Sequence, residues 1–177
     1  MTLDGQTDTI MAASGCKARF VPPRTSRAGS PSLPKLISAQ SRFRRIPLSH
    51  GRHHGGHVVT WPGSPSLRVE SAEEARVVRA LVARPECRDI TSQPLTVWYE
   101  WRGRVRRYTP DLAVTFAAVP SDLRVLGARA YCLVEVKPPE HRWRTPADWE
   151  ARRHIIHVAT GHPLILLSSL TAQGGAP

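Results

Sequence analysis

The chain has 177 residues and a mass of 19.6 kDa, with 25 Lys and Arg against 14 Asp and Glu, a formal charge of +11 and a pI near 10.9. This length fits one domain with an extension, not two full domains, and no apolar run approaches the roughly 20 residues a membrane helix needs, so no membrane association is expected. The positive balance points to a polyanionic partner, nucleic acid before a membrane surface, because released counterions drive that association.

Residues 1–57 carry nine basic and two acidic side chains, five prolines, and Phe20 and Phe43 as their only aromatics. Such a stretch buries too little apolar surface to offset its ordering entropy. Residues 1–41 therefore read as a disordered basic tail, and RFRRIPLSH (42–50) as an arm leading into a domain over 42–177. Asp4 and Asp8 stand where an export signal carries basic residues. Cys16, Cys87 and Cys132 are scattered without a C-x-x-C, so a reducing, cytoplasmic setting is expected. His50, His53, His54 and His57 cluster in a Gly-rich setting that fixes no ligand geometry, and they are not read as a metal site.

Ser71 and Glu74 have capping-box spacing, with Glu74 positioned to reach back to the Ser71 N–H, which starts a helix near residue 72. Val77, Val78, Leu81 and Val82 give it one apolar stripe, and Pro85 ends the segment. Past Gln93-Pro94, β-branched and aromatic residues predict strands at about 95–101 and 104–116, with a turn at Arg102-Gly103 and an interruption near Pro110. A buried strand follows at about 130–137, and VPSDLRVLGARA before it reads as a loop. Thr145-Pro146 with Asp148 starts a second helix, which stops at Gly161, and LILLSS (164–169) is a last strand. The order predicts a three-layer α/β domain with a mixed sheet.

Chemistry concentrates in Tyr108-Thr109-Pro110-Asp111 and, 24 residues after Asp111, in Glu135-Val136-Lys137. Glu135 and Lys137 are two apart on a strand and project from one face. If Asp111 starts the neighbouring strand, two carboxylates and a lysine converge into a hard-oxygen site suited to Mg²⁺ or Mn²⁺, with the Val136 carbonyl as a further ligand. Phosphodiester hydrolysis needs a metal that offsets phosphate charge and acidifies a water, and a cation beside that water. Lys137 is the only lysine after residue 57, in a chain that writes 22 of its 25 basic positions as Arg. It is a compact charge whose pKa can move, so that it can orient a water as the ammonium or deprotonate one as the amine, whereas a guanidinium stays protonated.

Pro110-Asp111 with Glu135-Val136-Lys137 resembles the PD-(D/E)-x-K nuclease signature. The flanking RFRRIP, VESAEE, R-P-E-C…T-S-Q-P, R-R-Y-T-P-D-L-A-V and L-V-E-V-K-P resemble the TnsA subunit of heteromeric cut-and-paste transposases. The resemblance implies a restriction-endonuclease-like α/β/α fold with a mixed central sheet. It also implies a prokaryotic, Mg²⁺- or Mn²⁺-dependent endonuclease using one or two ions and cutting at the 5′ ends of a mobile element. Its partners would be DNA, a DDE-type transposase subunit and a regulatory ATPase. Asp111, Glu135 and the Val136 carbonyl would be the ligands and Lys137 the water-activating residue. Glu74, rather than Glu73, would join the metal site, although the helix cap alone also accounts for Glu74. The C-terminal winged-helix region common in that family is not expected in a chain ending at Pro177.

Arg102, Arg104, Arg106 and Arg107 lie among Trp98, Tyr99, Trp101 and Tyr108, a mixture suited to phosphate contact and base stacking. Strand alternation turns some of them inward, so about two hairpin arginines are expected on DNA. The DNA contacts are assigned to Arg104, Arg106 and Arg107, with Arg142 and Arg144 beyond the lysine. His154 and His157 read as packing or surface residues. The alternatives are a standalone nuclease of the same superfamily and a catalytically silent DNA-binding module.

Overall fold

The computed structural model describes residues 33–41, 56–61, 63, 65–138 and 145–172. The chain divides into two units, Met1–Pro31 and Ser32–Pro177, and every described residue lies in the second. The elements run β1 (Lys35–Gln40), β2 (His57–Val59), β3 (Leu67–Val69), α1 (Ala72–Val82), β4 (Cys87–Ser92), β5 (Thr96–Trp101) and β6 (Arg104–Tyr108). There follow β7 (Leu112–Phe116), α2 (Ser121–Val125), β8 (Tyr131–Val136), α3 (Pro146–Thr160), β9 (Leu164–Leu167) and α4 (Ser169–Ala172).

Local chemistry accounts for the two long helices. Ser71 is the extended N-cap of α1, and its hydroxyl oxygen accepts from the Glu74 N–H at 3.1 Å. The Glu74 carboxylate reaches back, but to the Ser71 hydroxyl and the Glu70 N–H rather than to the Ser71 amide. At α3, Thr145 caps, Pro146 occupies the first turn, and Gly161 closes the helix at φ 73°, a left-handed conformation that glycine takes without strain. Arg102 and Gly103 both have positive φ, as the tightest antiparallel turns require.

Strands form three sheets, ordered β1-β5-β6, β2-β3 and β4-β7-β8-β9. The last is mixed: β8 and β9 run parallel and its other pairs antiparallel. The protein is thus mixed α/β with a mixed sheet, but the β5–β6 hairpin belongs to a separate sheet. The strand expected over 104–116 is two strands in different sheets, divided at Thr109-Pro110-Asp111. Proline cannot donate to a ladder, so pairing breaks there and the chain passes between sheets. Residues 35–40, expected within the disordered tail, form β1 and pair with β5. The 1–32 part of that tail and the 42–50 arm lie outside the described residues. Residues 121–125, read as loop, form the short helix α2.

The four-stranded sheet packs on both faces. Leu112, Val114, Cys132, Val134, Ile165 and Leu167 meet Val77, Val78 and Leu81 of α1. On the other side Ala113, Leu133 and Leu164 meet Ala151, Ile155 and Ile156 of α3 and Val97, Tyr99 and Trp101 of the small sheet. Leu81 is fully buried. Leu81→Ala is expected to cost about 3 kcal/mol by leaving a cavity between α1 and the sheet, read as a lower urea midpoint at unchanged slope. No described helix is long and apolar enough to cross a membrane.

Candidate active site

The candidate residues meet at the end of the four-stranded sheet where it adjoins the small one. Leu112 pairs with Val134 across β7 and β8. Asp111 immediately precedes β7 and lies close enough to Glu135 for that residue's charge to act on its carboxyl. Lys137, two residues beyond Glu135, places its Nζ 2.9 Å from Glu135 Oε1. The Asp111 Oδ2 accepts the Val136 N–H at 2.7 Å.

Glu135 is almost fully buried, and both its oxygens are engaged. Tyr108 donates its hydroxyl to Oε2 at 2.6 Å, while Oε1 meets Lys137 Nζ and, at 3.4 Å, Arg152 Nη1. Burial, reinforced by the negative charge of Glu135, pushes the Tyr108 hydroxyl well above the ordinary tyrosine range, so it remains a donor. Burial, then the charge of Glu135, pushes the Asp111 carboxyl up to about 8, with Glu74 adding and the Val136 N–H and Lys137 opposing. Burial also raises the Glu74 carboxyl, while Lys137 draws it down. Glu74, Asp111, Glu135 and Lys137 therefore occupy one electrostatic neighbourhood.

Glu73 is engaged elsewhere. Its Oε1 accepts the Ser169 N–H at 2.7 Å and its Oε2 meets Arg76; both Glu74 oxygens are likewise held in the helix cap, but Glu74 is the one whose charge acts on Asp111 and is acted on by Lys137. Among the described residues, no three His, Cys, Asp or Glu side chains form a group arranged to hold a metal ion. The site offers the carboxylates of Asp111 and Glu135, with Glu74 electrostatically linked to Asp111 and Lys137. Gln93 adjoins it: its N–H donates to the Asp111 carbonyl at 2.8 Å, and its buried Oε1 has no hydrogen-bond donor among the described residues.

Of the hairpin arginines, Arg104 and Arg107 are exposed, and strand alternation sends them to opposite faces of β6. Arg106 is half-buried, 3.5 Å from Asp148 Oδ1, with its guanidinium 4.8 Å from the Trp101 ring centroid, so it is engaged within the fold. Arg142, Arg144 and His141 lie outside the described residues, as do His50, His53 and His54. Tyr108 and Arg152 are the site residues that sequence reasoning missed. Tyr108 reads as a core aromatic, and only its place three residues before Asp111 hints at more. Arg152 lies in a helical Arg152-Arg153 pair, and only the fold brings it to Glu135.

No protein-family model matches the chain, and no curated protein or solved structure matches it.

Proposed function

We propose that this chain is a Mg²⁺-dependent DNA endonuclease with a restriction-endonuclease-like fold, acting as a TnsA-like subunit that hydrolyses phosphodiesters at the 5′ ends of a mobile element. The observation that carries the reading is the meeting of Asp111, whose Oδ2 accepts the Val136 N–H, with Glu135, whose Oε1 is bound by Lys137. Mg²⁺ is commonly held by one or two carboxylates together with substrate phosphate and water, not by an all-protein cage, and the donor set here fits that habit. Asp111, Glu135 and the Val136 carbonyl would hold the ion, with Glu74 acting through a water. Bound there, Mg²⁺ offsets charge on the scissile phosphate and lowers the pKa of a water.

The chain's own residues supply the rest. Tyr108 fixes the Glu135 carboxylate through Oε2, leaving Oε1 turned toward Lys137. Lys137 orients the attacking water and, only in its neutral amine form, takes its proton. Arg104 and Arg107 supply phosphate contacts on the exposed hairpin, with Arg142 and Arg144 assigned the same role and Arg106 a lesser one. A DDE-type transposase subunit and a regulatory ATPase are the proposed partners.

Calorimetric titration with Mn²⁺ tests the reading without requiring any partner. Wild type is expected to bind the ion, Asp111→Ala to lose binding, and nicking of supercoiled plasmid in Mg²⁺ to disappear with it. Metal binding and nicking that persist in Asp111→Ala would overturn the assignment.

A further inference from the structure

The Glu135 carboxylate is over-supplied with cations. Lys137 Nζ at 2.9 Å and Arg152 Nη1 at 3.4 Å converge on the same oxygen, Oε1, while Oε2 is held by Tyr108. Two positive groups on one oxygen exceed what a single carboxylate needs, and water activation uses only Lys137. Arg152 is also mounted differently from a surface ion pair. Its guanidinium lies 4.5 Å from the Tyr108 ring centroid, and Tyr99 on the neighbouring strand feels its charge and hydrogen bond. Its side chain is 30% exposed.

These contacts separate holding the guanidinium from neutralising Glu135. The aromatic face keeps the planar group in place whatever Oε1 is doing, so Arg152 can exchange its acceptor with only a small displacement. A phosphate is the acceptor that suits it, because a guanidinium presents paired donors that match two phosphate oxygens.

We propose that Arg152 is an exchangeable counter-ion. It pairs with Glu135 Oε1 in the metal-free protein, and donates to a non-bridging oxygen of the scissile phosphate when that carboxylate oxygen serves a divalent cation. The inference rests on the metal-dependent nuclease reading of this site and adds to it a phosphate-binding residue that the signature does not contain.

The full chain and its Arg152→Ala and Arg152→Gln variants are compared by calorimetric titration with Mn²⁺, by anisotropy of a labelled DNA duplex with and without Ca²⁺, and by plasmid nicking. Removing a competitor and a like charge is expected to tighten Mn²⁺ binding about five-fold. Nicking is expected to fall about 100-fold, and duplex affinity to fall in Ca²⁺ but not in its absence. Arg152→Gln keeps a hydrogen-bonding side chain under Tyr108 without the charge, and follows Arg152→Ala in all three measurements. A purely structural ion pair moves the metal affinity the other way: Mn²⁺ binding weakens as the unfolding temperature drops. Unchanged or weaker Mn²⁺ binding in both variants, beside a wild type that binds and nicks, overturns the role of Arg152 alone. A wild type that binds no Mn²⁺ overturns the nuclease reading and this inference together.

Discussion

Lys137→Ala is expected to slow Mg²⁺-dependent nicking by about 10²–10⁴-fold, the range contributed by a positioned proton-transfer group. The fold should tolerate the change. The Lys137 side chain is 36% exposed, and its backbone N–H bonds the Leu167 carbonyl at 3.0 Å whatever side chain it carries. Glu135 keeps its Tyr108 and Arg152 partners. Stability should therefore stay within about 1 kcal/mol of wild type, as for most surface substitutions, and Mn²⁺ binding should survive. Lys137→Arg is a sharper probe. It keeps the charge beside Oε1, but a guanidinium stays protonated and is broader, so nicking should stay low. Full activity in Lys137→Arg would show that only charge is needed at this position. Rates of plasmid nicking set against Mn²⁺ titrations and thermal melts separate loss of chemistry from loss of the site.

Asp111→Asn is expected to stabilise the metal-free protein at pH 8 while abolishing cleavage. The Asp111 carboxyl is pushed up to about 8 by burial and by Glu135, from an ordinary value of 3.8. The folded chain thus holds this proton more tightly than the unfolded chain does. The resulting stabilisation is fully present below about pH 4 and is lost as pH rises toward 8, where an ionised carboxylate faces Glu135. A tenfold difference in proton affinity between the two states corresponds to about 1.4 kcal/mol, and relaxation and water around a half-buried group leave on the order of 2–3 kcal/mol. Asparagine keeps an oxygen for the Val136 N–H and carries no charge. Melts in EDTA should show the variant several degrees above wild type at pH 8, with the difference shrinking at pH 5. A variant that melts at or below wild type at pH 8 removes the argument that Asp111 and Glu135 repel. A carboxylate that is costly in the empty fold and needed for chemistry is the usual conflict between stability and function.

Elements with local punctuation were legible in the sequence. Ser71 with Glu74 and Thr145-Pro146 with Gly161 mark α1 and α3 within a residue or two, because caps are made by neighbours in the chain. The buried strands β8 and β9 show as apolar runs. The elements that went unread lack such signals. β1 is almost wholly exposed, and β4 places only Ile90 in the core, so both are strands through their partners rather than their composition. The strands β2 and β3 have three residues each, and α2 has no side-chain cap and buries only Leu123. In the site, the two-residue spacing of Glu135 and Lys137 is legible because alternation along a strand places them on one side, whereas Asp111 is brought to them by the neighbouring strand. Arg152 comes from α3, the next described element after the lysine, and nothing local marks it.

The two sheets are joined by paired crossings, Gln93-Pro94 on the way out and Thr109-Pro110 on the way back, and the Gln93 N–H to Asp111 carbonyl bond ties one crossing to the other. The β5–β6 hairpin carries Arg104 beside its turn and Arg107 next to its last residue, Tyr108, which grips Glu135 on the other sheet. The small sheet thus fixes the orientation of a carboxylate that belongs to the large one.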